Sequence, residues 1–464
     1  MLNHSSKGRT RLTGRIVVPG DPAYPKARLE FNRRVNKFPR VIVFCRSVRD
    51  VVNAVKWARE REVRIRVRSG RHSYEGFSTL NGGIVIDVSP MRKVSIDRHK
   101  RIATVQTGIP LGMLYSKLWT KRLAIPAGTA PDVGVAGLAL GGGIGLLSRK
   151  YGLTCDSLKS VEMVVASGTN SAKRIVADNN RNADLLWASR GGGGGNFGIA
   201  TSFKFRVKPI RDVAIYRILW PWKDLEAAYS AWQAWFPTVT DRLTTTIDLQ
   251  SRQEGKIEST GQLLGSADEL KRLIQPLLRA GTPIEVSVRT VPFIKAVEFF
   301  AESDLNLAPK FKISGTYAFK PLPPEGIRVL RRFLANAPNR HASVWSQSLA
   351  GAVARIPPTA TAYVHRQARN ILELSSRWFK DEEAARNADW VHRLRQALKP
   401  YTRGDYVNFP DLSIRDWQQA YYGVNFKRLT RIKRKYDPRN VFRFAQSIPP
   451  ATAPRTALRK GSTR

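Results

Sequence analysis

The chain has 464 residues, more than one ordinary domain holds, and 42% hydrophobic residues with 11 Trp, 13 Tyr and 19 Phe exclude global disorder. Its 78 Lys and Arg against 36 Asp and Glu give a net charge of +42, a field that draws anionic polymers and surfaces. The basic residues are spread along the chain, with denser clusters around Arg61 to Arg71, at Lys433-Arg434-Lys435 and at the C-terminal end. That dispersal fits a solvated surface better than specific nucleic-acid recognition.

The first 34 residues are basic and rich in Pro and Gly and read as a loosely packed arm, polar from Met1 to Thr13 with no signal peptide. No apolar run is long enough to span a membrane, so synthesis in the cytoplasm is the expectation. Val41-Ile-Val-Phe44 predicts a strand that leads Cys45 into a core, and Arg49 to Arg61 has helical spacing. Arg64-Ile-Arg-Val-Arg68 alternates as a strand does, and strands follow at Gly83 to Val88 and Ile102 to Gln106. Cys45 and Cys155 lack C-x-x-C or zinc-ligand spacing, so neither a disulfide framework nor a metal site is expected. A glycine-dense centre, Gly134 to Gly145 and Gly191 to Gly198, ends in the strand Ala200 to Val207. After Pro209 longer helices, around Leu225 to Phe236 and Ala267 to Arg279, alternate with strands, which places a boundary near residue 210. The class is α+β.

Three segments carry chemistry. In Val67-Arg-Ser-Gly-Arg-His-Ser-Tyr-Glu-Gly-Phe-Ser78 a strand ends in a sharp turn, whose successive amides can form a nest for a pyrophosphate. Alone, it equally fits a turn with a surface histidine. Ile125 to Gly145 is dominated by small residues that let backbone approach a flat ligand closely. Leu185 to Gly198 formally contains G-x-G-x-x-G, but a helix-like stretch precedes the glycines and a strand follows, which is the wrong order for a dinucleotide fingerprint.

Together with Ala420-Tyr-Tyr-Gly-Val-Asn-Phe-Lys-Arg-Leu429 and Lys435-Tyr-Asp-Pro-Arg-Asn-Val-Phe442, these segments resemble the berberine-bridge-enzyme-like FAD-linked oxidases, in order, over residues 35 to 450. The resemblance implies a PCMH-type FAD-binding domain of two subdomains (35–210, completed by 426–450). An α/β substrate domain with a large antiparallel sheet (211–425) follows from it too, while residues 451–464 read from their own composition as a disordered basic tail. The resemblance implies FAD bonded covalently through His72. Around the cofactor it places Arg68, Ser69, Gly70, Arg71 and Ser73; then Gly128, Thr129, Val133, Gly134, Gly137, Gly141, Gly142 and Gly145; and finally Ile199, Tyr422 and Asn425.

The family's second, cysteinyl flavin bond is not expected, because Ala130 stands at that position, and Arg71 stands where relatives have glycine. Tyr406, on a segment expected to be a strand, and Glu373 are the implied catalytic residues. His365 reads as a packing histidine. Small Val133 favours access of O₂, hence an oxidase of a hydroxylated small molecule that releases hydrogen peroxide. Some similar flavoproteins are spore-coat components, and the basic surface suits association with an anionic layer. A structural flavoprotein with little turnover is therefore the alternative.

Overall fold

The computed structural model describes residues 10–301 and 309–452. The chain begins with a small sheet of β1 (Arg15–Val17), β2 (Val41–Phe44), β3 (Ile65–Arg68) and β4 (Ile84–Asp87), in the order β1-β2-β4-β3. β2 and β3 run parallel to β4, and β1 is antiparallel to β2. The crossover from β2 is the helix Val48–Glu60, which starts where it does because Ser47 and Asp50 form a reciprocal cap. Val51, Ala54, Val55 and Ala58 recur at helical spacing and bury its inner face.

A second sheet holds β5 (Val94–Asp97), β6 (Ile102–Gln106), β8 (Leu158–Ser167), β9 (Ser171–Ala177) and β10 (Ile199–Arg206), in the order β5-β6-β10-β8-β9. Between them β7 (Leu123–Ala124) pairs with β11 (Lys208–Pro209), which closes this half of the molecule at its end. β12 (Asp212–Pro221) then opens a seven-stranded antiparallel sheet with β13 (Leu243–Gln250), β14 (Lys256–Leu263), β15 (Glu285–Pro292), β16 (Lys310–Ala318), β17 (Ala342–Ser348) and β18 (Asn370–Trp378). Its order is β15-β12-β14-β13-β17-β18-β16. The helices Leu225–Trp235, Pro324–Ala335 and Ala384–Leu398 pack on one face and share its apolar core; the other face is turned toward the first half.

Four expectations need correction. The arm is packed from residue 10: β1 extends the first sheet, and Glu30 and Asn32 are buried. The helix expected over 267–279 is two, Ala267–Leu273 and Gln275–Leu278, because Pro276 lacks the N–H that a continuous helix needs. Residues 405–409 form turns rather than a strand. The basic cluster at 433–435 is not wholly solvated: Lys433 is fully buried and donates to the Asn196 and Phe442 carbonyls and to Asp437, each at 2.6 Å. The tail expected to be disordered lies outside the described residues from 453 onward.

Candidate active site

The turn after β3 is fastened from beneath. Arg68 is buried, and its guanidinium donates to Asp87 (2.8 Å), Glu30 (3.2 Å) and the Ala27 carbonyl (2.8 Å). A buried cation needs such partners, and with them this side chain anchors the turn at the cavity's edge. Gly70 lies against Gly134 so closely that a Cβ on it would come within 2.1 Å of the Gly134 nitrogen. Ser69 donates to the Thr107 carbonyl at 2.8 Å, and the Ser73 hydroxyl accepts from the Phe77 amide at 2.8 Å.

Arg71 takes a left-handed φ of 67°, the conformation that glycine adopts without steric cost. Its guanidinium lies toward the Lys26 carbonyl (3.3 Å) and Asp87 (3.8 Å), and Arg71 is outside the cavity lining. His72 stacks on Phe31 with ring centroids 4.2 Å apart, and its Nε2 lies 2.9 Å from Asp132 Oδ2.

His72 opens on a cavity of about 1120 Å³ that runs between the two halves of the molecule. That exceeds the ~300–1,000 Å³ of an ordinary small-molecule site, leaving room for an extended cofactor and a substrate. Its first wall is largely backbone: Ser69, Gly70 and Ser73; Gly128, Thr129, Ala130, Val133, Gly134, Gly137 and Gly145; then Gly193, Gly194 and Gly195. A Cβ on Gly137 would meet nothing within 4 Å, and one on Gly194 nothing nearer than 3.7 Å, so each projects into open space where a ligand would lie. Ala130 lines the same wall, and both cysteines are buried and free. The residues fit FAD, with His72 at the turn and the glycines along the wall.

Four of the expected positions, Gly141, Gly142, Ile199 and Asn425, lie outside the cavity lining. Gly141 and Gly142 are pressed against Asn408 and the Tyr363 ring, and Ile199 sits in the apolar core of the first half. Asn425 donates to the Pro358 and Thr361 carbonyls and holds that loop, away from the cavity. Tyr422 does line the cavity, and its hydroxyl donates to the Gly192 carbonyl at 3.1 Å.

The second wall is the open face of the seven-stranded sheet. Strand register sets Glu258 opposite Asp248, Asp248 opposite Trp345, and Trp345 opposite Glu373, one row across four strands. All four line the cavity, as do Ile371 and Gln347, the latter donating to the Gly145 carbonyl at 3.0 Å and tying the walls together. Burial, together with the nearby Glu258 charge, pushes the Asp248 carboxyl above its usual range.

Tyr406 closes the end of the cavity. Its hydroxyl accepts from the Gly143 amide (2.8 Å) and from Asn408 (2.9 Å), which leaves its own proton without an acceptor among the described residues. Burial pushes the phenol well above its usual value, so it is neutral. His365 stacks on Tyr317 at 4.5 Å and donates to the Ala420 carbonyl; burial pushes it down to about 4, so it packs as a neutral ring.

Comparison with known proteins matches residues 39–171 to the FAD binding domain model and residues 405–449 to the berberine and berberine-like model. An uncharacterised FAD-linked oxidoreductase of Bacillus subtilis, YgaK, is 48% identical over 95% of this chain and 98% of its own. The aclacinomycin-N/aclacinomycin-A oxidase of Streptomyces galilaeus is 32% identical over 90% and 87%.

The chain belongs to the berberine-bridge-enzyme-like FAD-linked oxidoreductases.

The fold agrees: the solved structure of Physcomitrella patens BBE-like 1 superposes with a TM-score of 0.88 at 29% identity, covering 95% of this chain and 97% of that one. Sequence reading missed Asp132, Asp248, Trp345 and Gln347. A signal existed for the first alone, since Asp132 is the one charged residue between Arg122 and Arg149. The sheet row had no local signature.

Proposed function

We propose that the protein is an oxidase of a hydroxyl-bearing small molecule (a sugar, alcohol or secondary metabolite), with FAD bonded covalently through His72. The observation that carries this reading is one cavity joining the glycine wall and His72 to Tyr406 and Glu373. Bound FAD supplies the redox chemistry that side chains lack, accepting a hydride and delivering two electrons to O₂ as hydrogen peroxide. Tyr406, neutral, donates its free O–H to the substrate oxygen and holds the charge that develops there. Glu373 receives the hydroxyl proton. Trp345 and the sheet enclose the reacting carbon and exclude water. Val133, small and on the cavity wall, leaves room for O₂.

The test is acid precipitation of the purified protein. Yellow absorbance staying with the pellet, and lost to the supernatant from His72→Ala, supports the covalent site. A peroxide assay across sugars, alcohols and phenolic alcohols then identifies the substrate class. No flavin at all overturns the reading. The +42 charge supports one alternative, a basic coat or surface component with little turnover. It requires bound flavin without peroxide from any substrate, and adsorption to an anionic surface that salt reverses.

A further inference from the structure

We propose that Asp132 is the positioning residue that makes His72 the flavin-bonding nucleophile of this chain. The inference rests on the covalent reading above and concerns how this chain achieves it.

The geometry is that of a carboxylate oriented behind an imidazole. Asp132 Oδ2 lies 2.9 Å from His72 Nε2, so the ionised carboxylate holds the proton on Nε2 and leaves the lone pair on Nδ1. His72 lines the cavity, and Asp132 stands outside its lining, so Asp132 acts through the ring. The ring plane is fixed independently: Phe31 stacks on it at 4.2 Å and 22°, and the Phe31 amide donates to the Arg71 carbonyl at 3.0 Å.

Two further observations set Asp132 apart from a surface carboxylate. Its side chain is 40% exposed, yet its second oxygen, Oδ1, is buried and has no hydrogen-bond partner among the described residues, an arrangement that costs stability and calls for a reason. Burial alone would raise this carboxyl, yet the His72 hydrogen bond and charge hold it below the usual range. It is therefore ionised throughout the neutral range, ready to balance a positive imidazole.

The chemistry needs that charge. One C–H bond of the flavin's 8α-methyl group breaks and a bond from that carbon to Nδ1 forms. The methyl proton leaves to solvent. Alkylation at Nδ1 makes the ring cationic until Nε2 gives up its proton, which Asp132 accepts. The two electrons released reduce the isoalloxazine, and O₂ removes them as hydrogen peroxide. Two protons and two electrons leave the organic partners, and both appear in the peroxide.

The experiment compares parent, Asp132→Asn and Asp132→Ala purified from flavin-replete cells. Total flavin per chain is measured by absorbance and the covalent fraction by mass and by fluorescence of the acid-precipitated chain. Any non-covalent remainder is followed during incubation in air, with and without sodium formate. Asn preserves the hydrogen bond to Nε2 but cannot take the proton. The expected result is undiminished total flavin in both variants, with bond formation slowed on the order of a hundredfold. Formate, a small carboxylate, restores the rate in Asp132→Ala. Two outcomes overturn the proposal: variants as covalent and as fast as the parent, or an Asp132→Ala that loses flavin altogether while Asp132→Asn bonds normally, which is a structural role. A parent that releases its flavin into acid sinks the His72 bond itself, a distinguishable failure.

Discussion

The two walls of the cavity are built on opposite principles. The flavin wall is made of backbone, with glycines where a methyl group would collide with the next segment or fill the ligand space. The sheet wall is made of side chains, Glu258, Asp248, Trp345 and Glu373, which face one another because four antiparallel strands happen to be in register. A backbone wall tolerates almost no change in sequence. A side-chain wall keeps its shape while its chemistry varies, so it can change substrate without changing fold.

The hardest test of that contrast is Gly145→Ala. Its Cβ would come within 1.7 Å of the Ala127 carbonyl, so flavin-loaded soluble protein should be lost altogether. Gly137→Ala sits in the helix Val135–Leu140 with nothing within 4 Å and should fold at least as well, with only flavin retention falling. Expression and flavin per chain decide both.

Tyr406→Phe comes next. It should retain flavin and lose about 10²–10⁴-fold in kcat, as removal of a positioned proton-handling group does. The Gly143 amide and Asn408 would lose their acceptor, so Tm should fall as well.

His365 joins the two halves and gives a pH test. The unfolded chain takes up its proton near 6.5 and the folded chain near 4, so stability falls as pH drops through that window. The loss amounts to roughly 3 kcal/mol at full extent. Tm measured from pH 7 to 4 should therefore slope less steeply in His365→Gln than in the parent.

Asp248→Asn probes the sheet wall. A carboxyl held above its usual range favours the fold when protonated, and that stability is lost as pH rises through the folded value. The variant should keep its flavin and melt about 2 °C higher at pH 7, a gain that vanishes below the normal carboxylate range. Arg71→Gly is expected to be smallest. It relieves the left-handed backbone but releases the contacts to Lys26 and Asp87, leaving stability within about 1 kcal/mol of the parent with flavin retained.

Legibility in the sequence followed the same division. The strands over 41–44 and 102–106 and the helix near 49–61 were readable because their periodicity is local. The arm was misread because its packing depends on distant partners: β1 needs β2, and Glu30 needs Arg68. Gly141 and Gly142 look like their neighbours in a glycine run, yet Asn408 and Tyr363, far along the chain, occupy the space beside them.

By itself the sequence determined the family, the cofactor, the α+β class and the turn that carries His72, because glycine spacing and strand periodicity are written in consecutive residues. Tertiary structure alone decided which glycines face the cavity, that the Arg68 and Arg71 guanidiniums fasten the turn, that Asp132 stands behind His72, and that carboxylates from separate strands form one row. Those outcomes depend on which distant segments fold against one another, and no local pattern encodes a contact between segments so far apart.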